Sequence, residues 1–575
     1  MYGGTTMALA RSIVPLGLLV AFAGCTPSEP VKDRTAEQPA PPPIQKPAPP
    51  APAPAEPAPA EPEGEFVVTP TIPPEQRVTP PVRRQDGEKL RSLWQTKVGQ
   101  TTFRTTMAQV GEQIVIGTHG NSLEGKNDKT DGVYVLEAKT GKQIRLIATP
   151  GSGDRDVGGV AIDGETVYFT ADNAQIVAAA LDGKLLWTAK ASGKVRAAPA
   201  LADLDGDGAV DVVVGDESGT LRALNGKTGA PLWQKQSGTS EYGARGYIGA
   251  VAIADLDGDG HDDVVAGARD AILAAYRGKS GEVLWQQSRD SGIHASPTIA
   301  DFDLDGKPEV LAAWSYGDLS VHDGATGEPR WATVVQMDGA GIEGLFATPV
   351  PLAGKPGVIV AGTAWWGDED GVVLVGAESR AYRAYEGRVS ASAVVMDLGD
   401  DGRLDAIVGT EKGLLLAFTA DGERRELARL GGAIEAPAMV ADVDGDGTQE
   451  ILVAARDGML SAFATGSKTP PPIPRFRGAS PHNRGDVGKV ALGWRSGQGG
   501  EAVKAAGGRG IRIDYLRCCQ DLVEAATRAP APDNARLLDA ASKCNSLAAA
   551  AVERANAIAA VKLAAQPAEL PASCE

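Results

Sequence analysis

Five short acidic loops, each running straight into an apolar segment, constrain this chain more than any other feature. They read ADLDGDGAVDVVVG at 202–215, ADLDGDGHDDVVAG at 254–267, ADFDLDGKPEVLAA at 300–313 and ADVDGDGTQEILVA at 441–454, with a looser MDLGDDGRLDAIVG at 396–409. Their first acids, Asp203, Asp255, Asp301, Asp397 and Asp442, are spaced by 52, 46, 96 and 45 residues. The 96 is twice 48, and the unit between is ATPVPLAGKPGVIVAG at 347–362, which keeps the apolar strand but lacks the acids. Counting back by the same period reaches VAIDGETVYFTA at 160–171 and AQVGEQIVIGT at 108–118. The period predicts eight units of about 48 residues, the size of one four-stranded propeller blade. The fold class expected is therefore all-β: an eight-bladed β-propeller, with seven blades as the alternative.

The order within a unit is constant: a small-residue strand, the acidic loop, an apolar strand, a third strand, a Gly-rich turn and a last strand ending on Trp. The turns are GKTG at 226–229, GKSG at 278–281 and GATG at 324–327, where Gly supplies positive φ. The tryptophans are Trp187, Trp233, Trp285 and Trp331, placed to pack across to the neighbouring blade. The last unit stops at MLSAFATGSK without its Trp-bearing strand, whereas EKLRSLWQTKVG at 88–99 reads as an orphan last strand with Trp94 in register. Pairing the two closes the ring and leaves no open edge.

Residues 195–454 resemble FG-GAP/VCBS repeats. The tails ALNGKTGAPLW and SVHDGATGEPRW resemble the tryptophan-docking repeat of pyrroloquinoline-quinone-type propellers, and FRGASPHNRG at 476–485 resembles a segment found at the ends of such propellers. The resemblance implies the fold and says little of function.

In the loop at 203, oxygens fall at positions 1, 3, 5 and 9 as Asp203, Asp205, Asp207 and Asp211, with the backbone carbonyl of Ala209 at position 7 and Gly208 at the sharp turn. Six or seven hard oxygens suit calcium, and no soft ligand is present for zinc or copper. The second loop repeats this with Asp255, Asp257, Asp259, His261 (through its backbone) and Asp263. The third has Asp301, Asp303, Asp305, Lys307 and Glu309, and the last has Asp442, Asp444, Asp446, Thr448 and Glu450. The loop at 397 keeps Asp397, Asp401 and Asp405 but carries Gly399 at position 3, with Asp400 beside it. A turn explains one Asp and the Gly; it does not explain four mutually repelling acids. The expected role is structural calcium binding at one hairpin of each such blade.

The ends of the chain read differently. Residues 1–24 read as an export signal, with an apolar run too short to span a bilayer. Phe22-Ala23-Gly24-Cys25 resembles a bacterial lipobox, which implies lipid on Cys25 and an outer-membrane address. Residues 25–87 are a Pro-rich tether without the composition for a core, and 88–495 is the expected propeller. A Gly-rich linker at 496–510 leads to a helical hairpin at 511–575. The cysteines other than Cys25, namely Cys518, Cys519, Cys544 and Cys574, all lie in that tail. Four cysteines allow three pairings; an exported chain should oxidise them, with Cys518 and Cys519 each bridging to Cys544 or Cys574.

A net charge of -18 argues against a nucleic-acid partner. None of the five histidines lies in HExxH, and GxSxG and Walker A sequences are absent. Two stretches look less like scaffold: the polar insertion THGNSLEGKNDKTDG at 118–132, and AWWGDEDG at 364–371, whose Trp365 and Trp366 are candidate contacts for a glycan or protein. The reading is a calcium-binding, lipid-anchored scaffold at the cell envelope, periplasmic or surface-facing, for a protein or glycan partner. It resembles BamB-type assembly lipoproteins or FG-GAP adhesion modules. The alternative is an enzyme on the same scaffold, a quinoprotein oxidoreductase or a polysaccharide hydrolase or lyase.

Overall fold

The computed structural model describes residues 89–489, apart from 122–127, 239–244, 290, 316–317, 335, 338–339, 344–346, 353–354, 365–369, 377–379, 384–387 and 419–423. The export signal and Cys25, the Pro-rich tether, the C-terminal hairpin with its four cysteines, and Trp365 and Trp366 lie outside the described residues.

Every regular element among the described residues is a β-strand. The strands fall into eight sheets, whose inner first strands are, in chain order, Met107–Val110, Val157–Asp163, Ala200–Ala202, Ala252–Ala254, Thr298–Asp301, Ala347–Leu352, Val394–Met396 and Met439–Ala441; the sixth sheet also holds Gln336–Met337 and Ala340–Glu343. We number them one to eight. Successive strands within a sheet pair antiparallel. The second strand of each acid-bearing sheet is apolar and buried on both faces, as in Asp211–Gly215 and Glu450–Ala454, because it lies between two other strands and two neighbouring sheets.

First strands touch in order: sheet one against two, two against three, and on through sheet six, with seven against eight and eight against one. The last sheet thus returns to the first. Sheet eight is completed from the other end of the chain, where Arg91–Lys97 pairs antiparallel with Met459–Ala464, Arg91 opposite Ala464 and Lys97 opposite Met459.

At four junctions among the described residues, tryptophan ties one sheet to the next. The indole N–H of Trp187 donates to Gly226 O (2.8 Å), that of Trp233 to Gly278 O (2.6 Å) and that of Trp285 to Gly324 O (2.7 Å). Trp94 does the same to Ala138 O at 3.0 Å, across the point of ring closure. Each acceptor turn carries a Gly at positive φ against the indole; a Cβ on Gly229 would stand 2.6 Å from the Trp187 ring. The repeated turn glycine is thus needed twice, for its φ and for the close approach.

One feature has no counterpart in the sequence periodicity. The segment 473–489 runs along the first strands and accepts their backbone N–H groups. Val395 donates to Ile473 O (3.3 Å), Val440 to Pro474 O (2.6 Å), Ile162 to Pro481 O (2.9 Å), Leu201 to His482 O (2.9 Å), Ile253 to Arg484 O (2.7 Å) and Ile299 to Gly485 O (2.8 Å). It ends as Asp486–Lys489, parallel to Thr298–Asp301. Six sheets therefore have an inner edge satisfied by one irregular strand of chain. Arg477 is buried within it and donates to Val251 O.

Candidate metal centres

Each acidic loop joins the first strand of a sheet to the second, and its backbone is held by its own carboxylates. Asp203 at position 1 accepts from the N–H groups of Gly206 (2.9 Å), Asp207 (3.1 Å) and Gly208 (2.9 Å). Position 3, Asp205, accepts from Asp207 N–H at 3.0 Å, and position 5, Asp207, from Ala209 N–H at 2.9 Å. Position 9, Asp211, reaches back to Leu204 N–H at 3.0 Å and on to Gly226 N–H at 3.2 Å. The same position-9 bond recurs from Asp263 to Leu256 (3.3 Å), Glu309 to Phe302 (2.7 Å) and Glu450 to Val443 (3.0 Å). A longer Glu side chain in two loops makes the bond that Asp makes in the others.

The carboxylates also converge. Asp203, Asp205 and Asp211 each present an oxygen within 4.8 Å of the others. So do Asp301, Asp303 and Glu309, and Asp442, Asp444 and Glu450, while in the second loop the trio is Asp255, Asp257 and Asp259. Asp301 Oδ1 is buried without a hydrogen-bond partner. The donor set is all hard oxygen on a loop of irregular backbone, which fits calcium better than a metal that demands nitrogen or sulfur. Cationic side chains also meet these loops: Lys227 pairs with the position-5 acid Asp207 at 3.1 Å, and Arg277 bridges Asp257 and Asp259 at 3.0 Å each. His261 and Lys307 take part through their backbone, each N–H donating to the position-5 carboxylate at 2.9 Å and 2.8 Å.

Burial pushes the position-9 carboxyls up, Asp211 and Asp263 to about 6 and Glu309 and Glu450 to about 7, with neighbouring acids adding to the effect. A divalent cation in the loop acts the other way, favouring the ionised form.

The loop at 397 keeps the scaffold and loses the convergence. Asp397 accepts from Asp401 N–H (3.0 Å) and Gly402 N–H (2.8 Å), and Asp405 from Leu398 N–H (3.2 Å). Gly399 offers no side chain at position 3. Asp400 turns instead to residues 467–469, accepting from Ser467 Oγ (2.9 Å), Lys468 N–H (3.0 Å) and Thr469 Oγ1 (2.9 Å). Asp401 pairs with Arg403 at 2.7 Å. Among the described residues, three of this loop's acids do not gather as they do in the other four.

Sequence reasoning passed over a fifth carboxylate trio, Asp154, Asp156 and Asp172, which lies outside the acidic loops. Its partner His119 opens the polar insertion noted in the sequence, and that insertion was the one available signal.

A family model described as outer membrane protein assembly factor BamB matches residues 129–374. Over those residues, less than half of the chain, the sequence is similar to pyrroloquinoline-quinone-type repeats. The outer membrane protein assembly factor BamB of Bordetella pertussis is 26% identical over 203 residues, 35% of this chain and 45% of that protein. The chain thus spans about half the length of the curated relative it matches. Among solved structures, BamB from Moraxella catarrhalis is 16% identical and covers 65% of this chain and 99% of its own, with a TM-score of 0.46. Quinohemoprotein alcohol dehydrogenase from Comamonas testosteroni is 15% identical over 69% of this chain and 79% of its own, TM-score 0.46. Saccharomyces cerevisiae Sqt1 is 13% identical over 66% and 99%, TM-score 0.47.

Proposed function

We propose that this chain is an eight-bladed, calcium-stabilised propeller that serves as a non-catalytic scaffold at the cell envelope. Lipid on Cys25 holds it to the outer membrane, and the Pro-rich tether carries the propeller clear of the surface. The C-terminal hairpin is stapled by its disulfides. Calcium sits in the four converging loops, where it neutralises three or more acids and stiffens the hairpin between the first two strands. The loops have the character of the FG-GAP/VCBS type, set on pyrroloquinoline-quinone-type blades. The observation that carries the scaffold reading is the match of residues 129–374 to the BamB repeat family, combined with acids consumed in holding their own loops. A relative named as an outer membrane assembly factor makes an envelope protein the expected class of partner.

The test is crosslinking in intact cells followed by fractionation. The reading predicts recovery with outer membranes in a Cys25-dependent manner and one envelope protein enriched over a Cys25→Ser control. Quinone-dependent dehydrogenase activity of the purified chain, or an unanchored chain with no enriched partner, would contradict it.

A further inference from the structure

We propose that the propeller face opposite the acidic loops carries a binding site for a saccharide, set among the first three sheets. The acidic loops lie at the turns between first and second strands. The network in question lies at the other strand ends: the close of Gln113–His119, the start of Asp131–Glu137, and the connectors leading into sheets one, two and three. His119 is fully buried there, its Nδ1 2.8 Å from Asp156 Oδ2 and its Nε2 3.1 Å from Thr102 Oγ1. Beside it Arg104 donates to Asp172 at 2.9 Å, and Lys194 reaches both Asp154 (2.9 Å) and Asp172 (3.3 Å). Asp154, Asp156 and Asp172 each present an oxygen within 4.8 Å of the others. The acids alone would say little; the atoms left over say more.

On the acceptor side, Asp131 Oδ1, Asp154 Oδ1 and Asp156 Oδ1 are buried without a hydrogen-bond partner. On the donor side, so are Arg104 Nε and Arg155 Nε, and the hydroxyls of Thr101 and Thr149 complete the set. Thr149 N–H donates to Asp131 O at 3.2 Å and Arg155 Nε lies 3.9 Å from Asp131 Oδ2, so these groups belong to one neighbourhood. Buried polar atoms are nearly always paired, and a concentration of unpaired ones calls for an occupant.

Charge decides its class. Arg104, Lys194 and His119 already partner every acid of the trio, so a metal ion would have to displace all of them. An anion would face four carboxylates, those of Asp131, Asp154, Asp156 and Asp172. An alcohol both donates and accepts, so a neutral polyhydroxylated ligand satisfies the free carboxylate oxygens and the free guanidinium N–H groups together. The way in is through the partly exposed side chains of Lys194 (39%), Asp154 (19%) and Arg155 (18%).

This site goes beyond the scaffold reading and does not require calcium. It is tested on the full chain at saturating calcium by saturation-transfer NMR and calorimetry. The probes are glucose, galactose, mannose, N-acetylglucosamine, maltose, cellobiose and diacetylchitobiose. At least one is expected to bind, and Asp154→Asn combined with Lys194→Met should weaken it by about tenfold or more. Asp205→Asn, in an acidic loop, should leave it unchanged. The double variant's calcium-dependent melt should match the parent's, which shows that it folds. Absence of binding by every probe, or binding untouched by the double substitution, overturns the proposal and leaves the network to ordered water.

Discussion

The loops at 203–211 and 397–405 have nearly the same backbone and differ in what their carboxylates do. In both, the position-1 acid accepts two or three loop N–H groups and the position-9 acid closes the hairpin. In the first, position 3 adds an acid and three oxygens converge. In the second, Gly399 leaves the seat short, and Asp400 caps the chain at 467–469 instead. Position 4 is left-handed in every loop, at Gly206, Gly258, Leu304, Asp400 and Gly445. Loop shape and carboxylate convergence are therefore separable: positions 1 and 9 hold the shape, and position 3 completes the convergence.

The largest effect should come from breaking the shared part. Asp211→Ala strands the N–H groups of Leu204 and Gly226, and Asp405→Ala that of Leu398; each should cost about 1–3 kcal/mol by denaturant unfolding in chelator. Equal tolerance of both would mean that the hydrogen bonds do not set the hairpin. The difference between the loops should then show in calcium: Asp211→Ala reduces the number of ions bound by one, and Asp405→Ala leaves it unchanged.

Completing the short seat is the converse. A Cβ at Gly399 meets nothing closer than Asp401 Cγ at 3.8 Å, and its φ lies outside the left-handed range, so Gly399→Asp fits. Calorimetry should then count one more calcium ion per chain. An unchanged count would show that position 3 does not decide occupancy.

Acid–base behaviour offers a weaker but global test. In chelator, Asp211, Asp263, Glu309 and Glu450 keep their protons to about pH 6–7 because they are buried, whereas unfolded carboxyls release theirs near pH ~4. The folded state then binds more protons across that window, so stability of the ion-free chain should fall as pH rises from about 4 to 7. Calcium should flatten the trend. A metal-free chain that gains stability over the same range would contradict this.

The smallest effect concerns Leu304, which is left-handed and 56% exposed where three other loops have Gly. Leu304→Gly should stabilise by up to about 1 kcal/mol, read as a raised midpoint. A loss would mean that the side chain packs usefully.

What was legible in the sequence follows from what repeats. The period, the acidic loops and the tryptophan with its turn glycine recur at fixed spacing, and the structure places Trp94, Trp187, Trp233 and Trp285 against the next sheet's turn. The segment 473–489 was not legible in the same way. It bonds through backbone carbonyls to strands as far off as Ile162, so its side chains carry no period that reports the contact. The need for a left-handed residue at position 4 was masked by Leu304 and Asp400, which adopt that conformation without being Gly. His119 and Asp156 stood apart for another reason: one ends a strand of sheet one, the other lies in the connector before sheet two, and they meet only once those segments pack.

The central claim is that the converging loops are structural calcium sites. It is tested most directly by titrating calcium into the chelated full chain while recording both heat and thermal unfolding. The account predicts about four ions per chain, matching the four converging loops, and a melt that rises with calcium as RT ln(1 + [L]/Kd) for each site, with magnesium giving far less. No heat and an unmoved melt at millimolar calcium would contradict it, and would leave the acids as turn residues alone.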